Sequence, residues 1–447
     1  MTPETIYALS SGRGRAGIAV IRISGPAAAD TVRDLSGRAP VDRRALRVDL
    51  RDPASGEVLD DAICLFFAAP RSFTGEDVAE LHVHGGTAVI QGVLAVLGKD
   101  AGLRMADPGE FTRRAFENGR MDLTAAESIG DLINAETAQQ RRQALRQGGG
   151  ALAELCDAWR ERLVAALAHW EAAIDFSDEE LPADLEARTV AEVADLRAEI
   201  DARLANGRAG ERLRDGVHLA IIGPPNAGKS SLLNLLAKRD VAIVSETAGT
   251  TRDVLEVHLD LGGYPVIAVD TAGLRDSDEP VEREGVRRAR QRAKGADLRL
   301  LIFDAETWPA EAATFADVID AETIVAVNKI DLTDPDLNLA PGGGAALGIS
   351  VHTGAGIDEL LDRLEARVAG GFETSAAPVV TRARHREALE DGAAALAAFL
   401  ARDDRLGHPE IAGEDLRLAG RAMGRITGRF DVEDLLDVIF QDFCIGK

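Results

Sequence analysis

The sequence predicts a multidomain fold of α/β and α classes: an N-terminal α/β domain (1–118), a discontinuous helical domain (119–215 and 376–447), and an inserted doubly wound parallel α/β domain (216–375). Three changes of texture along the chain predict it. Strand-like runs, "AGIAVIRISG" and "DAICLFFAAP", share the first segment with the helically spaced "TAVIQGVLAVLG". Long amphipathic helix follows. In "ALAELCDAWRERLVAALAHWEAAI" the residues Leu152, Leu155, Trp159, Leu163, Leu167, Trp170 and Ile174 recur every three or four positions, which reads as the core stripe of a helix bundle. Short apolar runs, "VHLAIIG", "YPVIAVD", "LRLLIFD", "TIVAVNK" and "ALGIS", then alternate with helix, as in a sheet covered on both faces. Helix returns after 376. The α/β unit thus interrupts a helical domain, where its conformational changes can move the rest.

Bulk composition narrows the function. A chain of 447 residues matches about three domains. Its net charge of −24 rules out non-specific gripping of nucleic acid, so an RNA partner must meet a local basic patch or be held mainly by another protein. Cys64, Cys156 and Cys444 are far apart and odd in number, which fits a reducing compartment better than a disulfide scaffold. The start has no apolar h-region and no run reaches the length of a membrane span, so a cytoplasmic location is expected. Only six of 51 basic residues are Lys, which gives weight to Lys229, Lys329 and Lys447.

"GPPNAGKSS" matches G-x-x-x-x-G-K-[ST], follows the strand "HLAII" and opens the helix "SSLLNLLAK". In such a loop Gly228 lets backbone N–H groups approach phosphates, Lys229 neutralises the β- and γ-phosphates, and the Ser230 hydroxyl ligates Mg²⁺, with Ser231 beside it. Asn328-Lys329-Ile330-Asp331 ends the strand "IVAVNK". The Asp331 carboxylate can accept from both N1–H and the 2-amino group of guanine, a donor pair that adenine lacks, so GTP is the nucleotide expected. In "ISVHTGAG", from Ser350, a backbone N–H is expected to meet guanine O6. "GTTRD" offers Thr250 and Thr251; a Thr here binds Mg²⁺ and the γ-phosphate and lets go after hydrolysis. "DTAG" offers Asp270 to the metal shell and the Gly273 N–H to the γ-phosphate. The next residue is Leu274, where many small GTPases carry the Gln that orients the attacking water. Leu274 can do no such thing, so either hydrolysis is poor or water is positioned by another route.

The stretch "VAELHVHGG" alternates, placing Glu80, His82 and His84 on one strand face and Leu81 and Val83 on the other. His-x-His spacing permits a metal, but a polar pocket wall suits the pattern better. A carboxylate such as Glu80 can accept paired N–H bonds from a pterin edge.

These motifs, with "NGRMDLTAAESIGDLI", "EAAIDFSDEE", "AGTTRDV", "DTAGLR", "VEREG" and the final "FCIGK", resemble the MnmE (TrmE) family of tRNA-modifying GTPases along the whole chain. The resemblance implies a folate-binding N-terminal domain, the split helical domain and an inserted P-loop GTPase domain. It implies a homodimer that joins an FAD-dependent partner of the MnmG (GidA) type in a heterotetramer. Together they install a folate-derived aminomethyl or carboxymethylaminomethyl group on C5 of the wobble uridine of certain tRNAs. It also implies paired GTPase domains with K⁺ beside the phosphates, neutralising the charge that develops there. Asn226, Ser245, Thr247 and Thr250 match the K⁺ positions, Glu282 the water-orienting position, and Arg22, Glu80, Arg120 and Lys447 the contacts to 5,10-methylene- or 5-formyl-tetrahydrofolate. Taken alone, Glu282 reads equally as one charge of a solvated helix start, and Arg22 and Arg120 as exposed ion-pair residues.

Near the end, Val432, Leu435, Leu436, Ile439, Phe440 and Phe443 form one helical stripe that should dock and hold the tail. Cys444 is read as a thiol facing the one-carbon pocket, its pKa lowered by Lys447 three residues on, or else as a small buried apolar residue. Two rival functions stand beside RNA modification: a regulatory GTPase acting as a ribosome-assembly or RNA-binding switch, and a folate-dependent aminomethyl transferase for a small molecule or protein. Folate binding separates the first rival from RNA modification; the inserted switch domain argues against the second.

Overall fold

The computed structural model describes residues 4–12, 14–175, 185–205, 207–243, 256–270, 295–320, 322–340, 345–373, 380–403, 405, 408–429, 436, 439, 443 and 446. Contacts group the chain into two compact units. One comprises 1–130, 148–168 and 416–447; the other comprises 131–147 and 169–415.

The first unit is built on a six-stranded sheet of order β3-β4-β5-β2-β1-β6. Its strands are β1 (Thr5–Leu9), β2 (Ala16–Ser24), β3 (Leu46–Arg51), β4 (Val58–Phe67), β5 (Val78–Gly85) and β6 (Leu103–Met105). All pairings are antiparallel except β1 with β6. The alternation expected for β5 holds: Leu81 and Val83 are buried, while Glu80, His82 and His84 lie on the opposite face. The buried face packs on α1 (Ala28–Ser36) and α2 (Thr87–Leu97) through Ile21, Ile23, Val32, Leu81 and Val93. Burial pushes the Cys64 thiol in this core up to about 11, which makes it an inert apolar residue. α3 (Glu110–Glu117) supplies Phe111 to a small cluster on the other face with Ile6, Ala8 and Phe73.

The C-terminal stripe docks where it is described. Leu436 and Ile439 are buried against Leu123 and Ala126 of α4 (Leu123–Asn134), and Phe443 lies against Gly130. Farther on, the carbonyl of Gly446 accepts a 2.6 Å bond from the Ser10 hydroxyl. A Cβ at Gly446 would lie 2.2 Å from the Leu9 carbonyl oxygen, so only glycine fits there.

The long stretch with the Trp/Leu stripe is one helix, α6 (Ala151–Asp175), after the shorter α5 (Ala138–Gly148). The buried line runs through Leu152, Cys156, Trp159, Leu163, Ala166 and Trp170. Leu155 and Leu167, expected in the stripe, are only half-buried, and the small residues Cys156 and Ala166 take the buried row in their place.

The second unit holds α7 (Leu185–Ala205), α8 (Gly207–Asp215) and the other helices expected after 376, α11 (Ala383–Ala401) and α12 (Pro409–Thr427), which runs on into the first unit. Trp170 meets Phe399 edge to face at 5.1 Å and donates its indole N–H to the Pro409 carbonyl at 2.8 Å. The unit's sheet has the order β12-β11-β10-β7-β9-β8. These strands are β7 (Val217–Ile222), β8 (Glu256–Leu261), β9 (Tyr264–Asp270), β10 (Leu298–Asp304), β11 (Thr323–Asn328) and β12 (Leu347–Gly348). α9 (Lys229–Leu236) and α10 (Ile357–Glu373) cover one face; Trp308 and Phe315 cover the other. The five expected strands are present and pair in parallel. The structure adds β8, an antiparallel edge joined to β9 by Gly262-Gly263, both with positive φ (61° and 90°).

Candidate nucleotide site and the polar face of the N-terminal sheet

β7 ends at Ile222, and the chain turns through three left-handed residues, Gly223 (φ 154°), Asn226 (φ 63°) and Gly228 (φ 99°), before α9 begins at Lys229. Two of the turns demand glycine by contact as well as by angle. A Cβ at Gly223 would lie 2.0 Å from the Ile302 carbonyl oxygen, and one at Gly228 would lie 2.2 Å from the Asn328 side-chain nitrogen. Asn is among the few side chains that tolerate the third. Asn226, Ser230 and Ser231 are exposed along the loop and first turn of α9, with the helix N-terminus behind them. Lys229 is buried, and its ammonium donates to the Gly223 and Pro224 carbonyls at 2.9 and 2.7 Å.

The corner after β11 is tied to this loop. The buried Asn328 side chain donates to the Ala227 carbonyl at 2.9 Å and accepts from the Val351 N–H at 3.1 Å. One carboxamide therefore braces three segments that are distant in sequence. Lys329 takes a left-handed φ of 69° and its ammonium pairs with Asp304. Burial alone would raise the Asp304 carboxyl, but the bonds from Lys329 and the Glu306 N–H outweigh it and hold it below its ordinary value. Asp331 is exposed at the corner's end, free of the core. Ser350 is fully buried and shapes the next loop: its N–H donates to the Ala355 carbonyl at 2.9 Å and its hydroxyl accepts from the Thr353 N–H at 3.1 Å. The Ser350 N–H itself is thus engaged within the loop.

Ser245, Thr247, Thr250, Thr251, Gly273, Leu274, Glu282, Cys444 and Lys447 lie outside the described residues, as does the Asp270 side chain; the Asp270 backbone ends β9 in register with Ile221.

In the first unit, Arg22 and Glu80 face each other across β2 and β5, in a row that runs Leu65, Glu80, Arg22, Ala8 across four strands. Both guanidinium contacts go to one oxygen: Nε and Nη2 donate to Glu80 Oε1 at 3.1 and 2.9 Å. Oε2 has only a long 3.3 Å contact to His82 among the described residues, so it keeps accepting capacity. The Arg22 guanidinium stacks near Phe73 and Phe111, at 5.2 and 5.7 Å from the ring centroids. Arg120 is exposed, and its aliphatic stem lies beside Gly75, where a Cβ would come within 3.2 Å. Sequence reasoning missed Phe73, Phe111, Gly75 and Asp304. Phe73 and Gly75 sit in a loop and Asp304 at a strand end, where no period marks them, and Phe111 opens the short helix α3, too short to show its face by spacing. Among the described residues, no three His, Cys, Asp or Glu side chains converge as metal ligands. No helix among them is long and apolar enough to cross a membrane.

Comparison with known proteins gives two family matches: the MnmE helical domain over residues 123–444, and the GTP-binding protein TrmE N-terminus over residues 5–120. The chain is 57% identical to the tRNA modification GTPase MnmE of Paramagnetospirillum magneticum, over 99% of this chain and 100% of that one. It is 56% identical to the protein of the same name from Parvibaculum lavamentivorans, with the same coverage. Among solved structures, the G domain of the T. maritima FeoB iron transporter matches 35% of this chain and 98% of its own at 23% identity, with a TM-score of 0.25.

Proposed function

We propose how this chain works from the premise that it belongs to the MnmE family of tRNA modification GTPases, whose members match it from end to end. It is a GTP-hydrolysing tRNA-modification enzyme, and tRNA is its substrate. The observation that carries the nucleotide part is the Asn328–Ala227 bond, which joins a phosphate-cradling loop to a corner ending in an exposed carboxylate, Asp331. In this reading Asp331 selects guanine, Lys229 and the α9 N-terminus bind the phosphates, and Lys329 is held in place by Asp304.

The loop's three left-handed turns and exposed Ser230 fit a phosphate with its cation. Ser230, Thr251 and Asp270 would hold Mg²⁺; Asn226, Ser245, Thr247 and Thr250 would hold K⁺, both supplying charge neutralisation at the phosphates. The exposed Asn226 offers its side-chain carbonyl from a backbone turn that keeps it clear of the core. Gly273 contributes an N–H to the γ-phosphate, and Glu282 orients the attacking water, a task closed to Leu274. On the polar sheet face, Glu80 Oε2 has acceptor capacity for a pterin edge, and Arg22, Arg120 and Lys447 would be the folate's other contacts; a bound tetrahydrofolate would supply the one-carbon unit. Cys444 is the thiol of that pocket. The protein acts in the cytoplasm as a homodimer with the FAD-dependent partner on the wobble uridine. The division at 118, 215 and 375 belongs to the same reading; the family matches over 5–120 and 123–444 meet near the first of these bounds.

The test is nucleoside analysis of bulk tRNA from a strain deleted for its own member of the family. Supplying this chain should restore the C5-modified uridine; supplying Lys229→Ala should not. Failure of the wild-type chain, with partner present, would turn the assignment toward a regulatory GTPase.

A further inference from the structure

We propose that the outward face of α5 receives the phosphate backbone of the tRNA, an inference that rests on the tRNA-modification reading. The helix has two unlike sides. Gln140, Gln143, Ala144 and Gln147 face the second unit: Gln140 donates to the Arg214 carbonyl at 3.0 Å, Gln143 to the Gly210 carbonyl at 3.4 Å, and Ala144 and Gln147 are buried. The outward side presents Arg141, Arg142, Leu145 and Arg146, all exposed. At spacings of four, Arg142 stacks over Arg146 and Arg141 over Leu145.

None of the three arginines has a carboxylate partner among the described residues, and α5 contains no acidic residue. Carboxylates on the neighbouring segments are already committed. Asp131 accepts from Arg214 and Arg382, Glu211 from Arg386, and Glu136 from His258. Three positive charges are thus left uncompensated on one helix face of a chain whose net charge is −24. Helix electrostatics explains only one of them. Arg146 lies in the last turn, where a cation is favoured; Arg141 and Arg142 lie at the end of the first turn, where the same dipole does not favour them. An anion from outside would compensate all three.

The chemistry favours RNA over a membrane. A membrane-surface helix needs a broad apolar face beside its basic one, and the outward side of α5 offers a single apolar residue, Leu145, with glutamines behind it. Guanidinium forks match phosphate bidentately, and three of them in a row suit a continuous phosphate strand. This supplies the local basic patch that so acidic a chain needs wherever it grips RNA itself.

The experiment measures unmodified tRNA binding to the full-length chain by filter retention across a salt series. Arg141→Gln, Arg142→Gln and Arg146→Gln should each weaken binding roughly three- to eightfold at 0.1 M salt and lower the salt slope by about one. The triple variant should lose roughly thirtyfold or more, while an Arg-to-Lys triple keeps most of the slope. GTP hydrolysis without tRNA should be unchanged in all, which reports an intact fold. Arg38→Gln with Arg44→Gln removes exposed charge elsewhere and should leave binding as it was. The proposal is overturned if the triple variant binds tRNA with unaltered affinity and slope, if the Arg38/Arg44 control weakens it equally, or if the wild-type chain shows no tRNA binding. It is also overturned if the triple variant loses only binding to vesicles of acidic phospholipid. Nucleoside analysis separates the two levels: a triple variant that restores modification fully, and binds normally, refutes this surface, whereas a wild-type chain that restores nothing refutes the reading beneath it.

Discussion

Asn328 reaches 101 positions back along the chain to donate its buried side-chain amide to the Ala227 carbonyl, and that single contact fixes the phosphate loop against the corner after β11. Asn328→Ala leaves that carbonyl and the Val351 N–H without their partner. A buried polar group stripped of its bond costs about 1–3 kcal/mol, so GTP affinity should fall roughly 10- to 100-fold. Calorimetric titration with a non-hydrolysable analogue checks this; a change under threefold would mean the loop holds itself.

Hydrolysis should need K⁺ and rise with protein concentration as GTPase domains pair. Asn226→Ala should blunt the K⁺ response while GTP binding stays near normal. Equal rates in Na⁺ and K⁺ at every concentration would sink the cation reading.

Glu282→Ala should slow hydrolysis by roughly 10²-fold with little change in GTP affinity, the scale of losing a positioned proton acceptor. Cys444→Ser should hydrolyse GTP normally yet leave the wobble uridine unmodified. Normal turnover in the first, or normal modification in the second, returns that residue to a structural role.

The Arg22–Glu80 pair is mostly buried, with side chains 20% and 18% exposed, but a Gln in place of Glu80 still offers the Arg22 guanidinium a side-chain oxygen. Glu80→Gln should therefore melt within a few degrees of wild type but bind 5-formyl-tetrahydrofolate at least tenfold more weakly. Unchanged folate titration heat, or a large loss of stability, contradicts this division of roles.

Acid should act through Glu110. Burial would raise its carboxyl, but Arg104, the Asp107 N–H and Arg114 outweigh burial and hold it below the ordinary value of 4.5. A depressed folded-state value means the stabilisation is complete above the unfolded value and is lost as pH falls through the folded one. Glu110→Gln should lower the melting temperature at neutral pH and flatten its decline below pH 4.5. Parallel curves for the two proteins would show that the cluster contributes nothing.

Much of this was legible in the sequence because it depends on local pattern. The phosphate loop, the alternation of β5 and the five parallel strands follow from spacing alone. Strand β8 was not legible: "EVHLDL" is a charged edge whose partner, β9, supplies the reason for its extension. Nor did the sequence show that Glu80 spends one oxygen on Arg22, since the pair depends on the register of β2 with β5, 58 residues apart. Two members of the α6 stripe were misjudged, Cys156 and Ala166 being buried where Leu155 and Leu167 were expected, because spacing rules weigh large residues more. The α5 arginines stood in plain view as three letters. What makes them notable is the absence of carboxylate partners among the described residues, which only the folded chain displays.

Gly446 rests on Leu9 and Ser10 from 436 positions away, inside a unit that also takes in residues 1–130. A ribosome adding about 5–20 residues per second needs on the order of 20–90 seconds to travel that distance. Once its last strand, β6, has emerged, the first sheet waits out the rest of that time with its end near Ser10 uncovered and the Leu436–Ile439 clamp on α4 unmade. The second unit, by contrast, has all its strands as soon as residue 348 emerges. Synthesis therefore delivers a nucleotide-binding sheet before the first lobe can close, and a nascent chain halted short of residue 446 is left with an open first unit for chaperones or proteases to find.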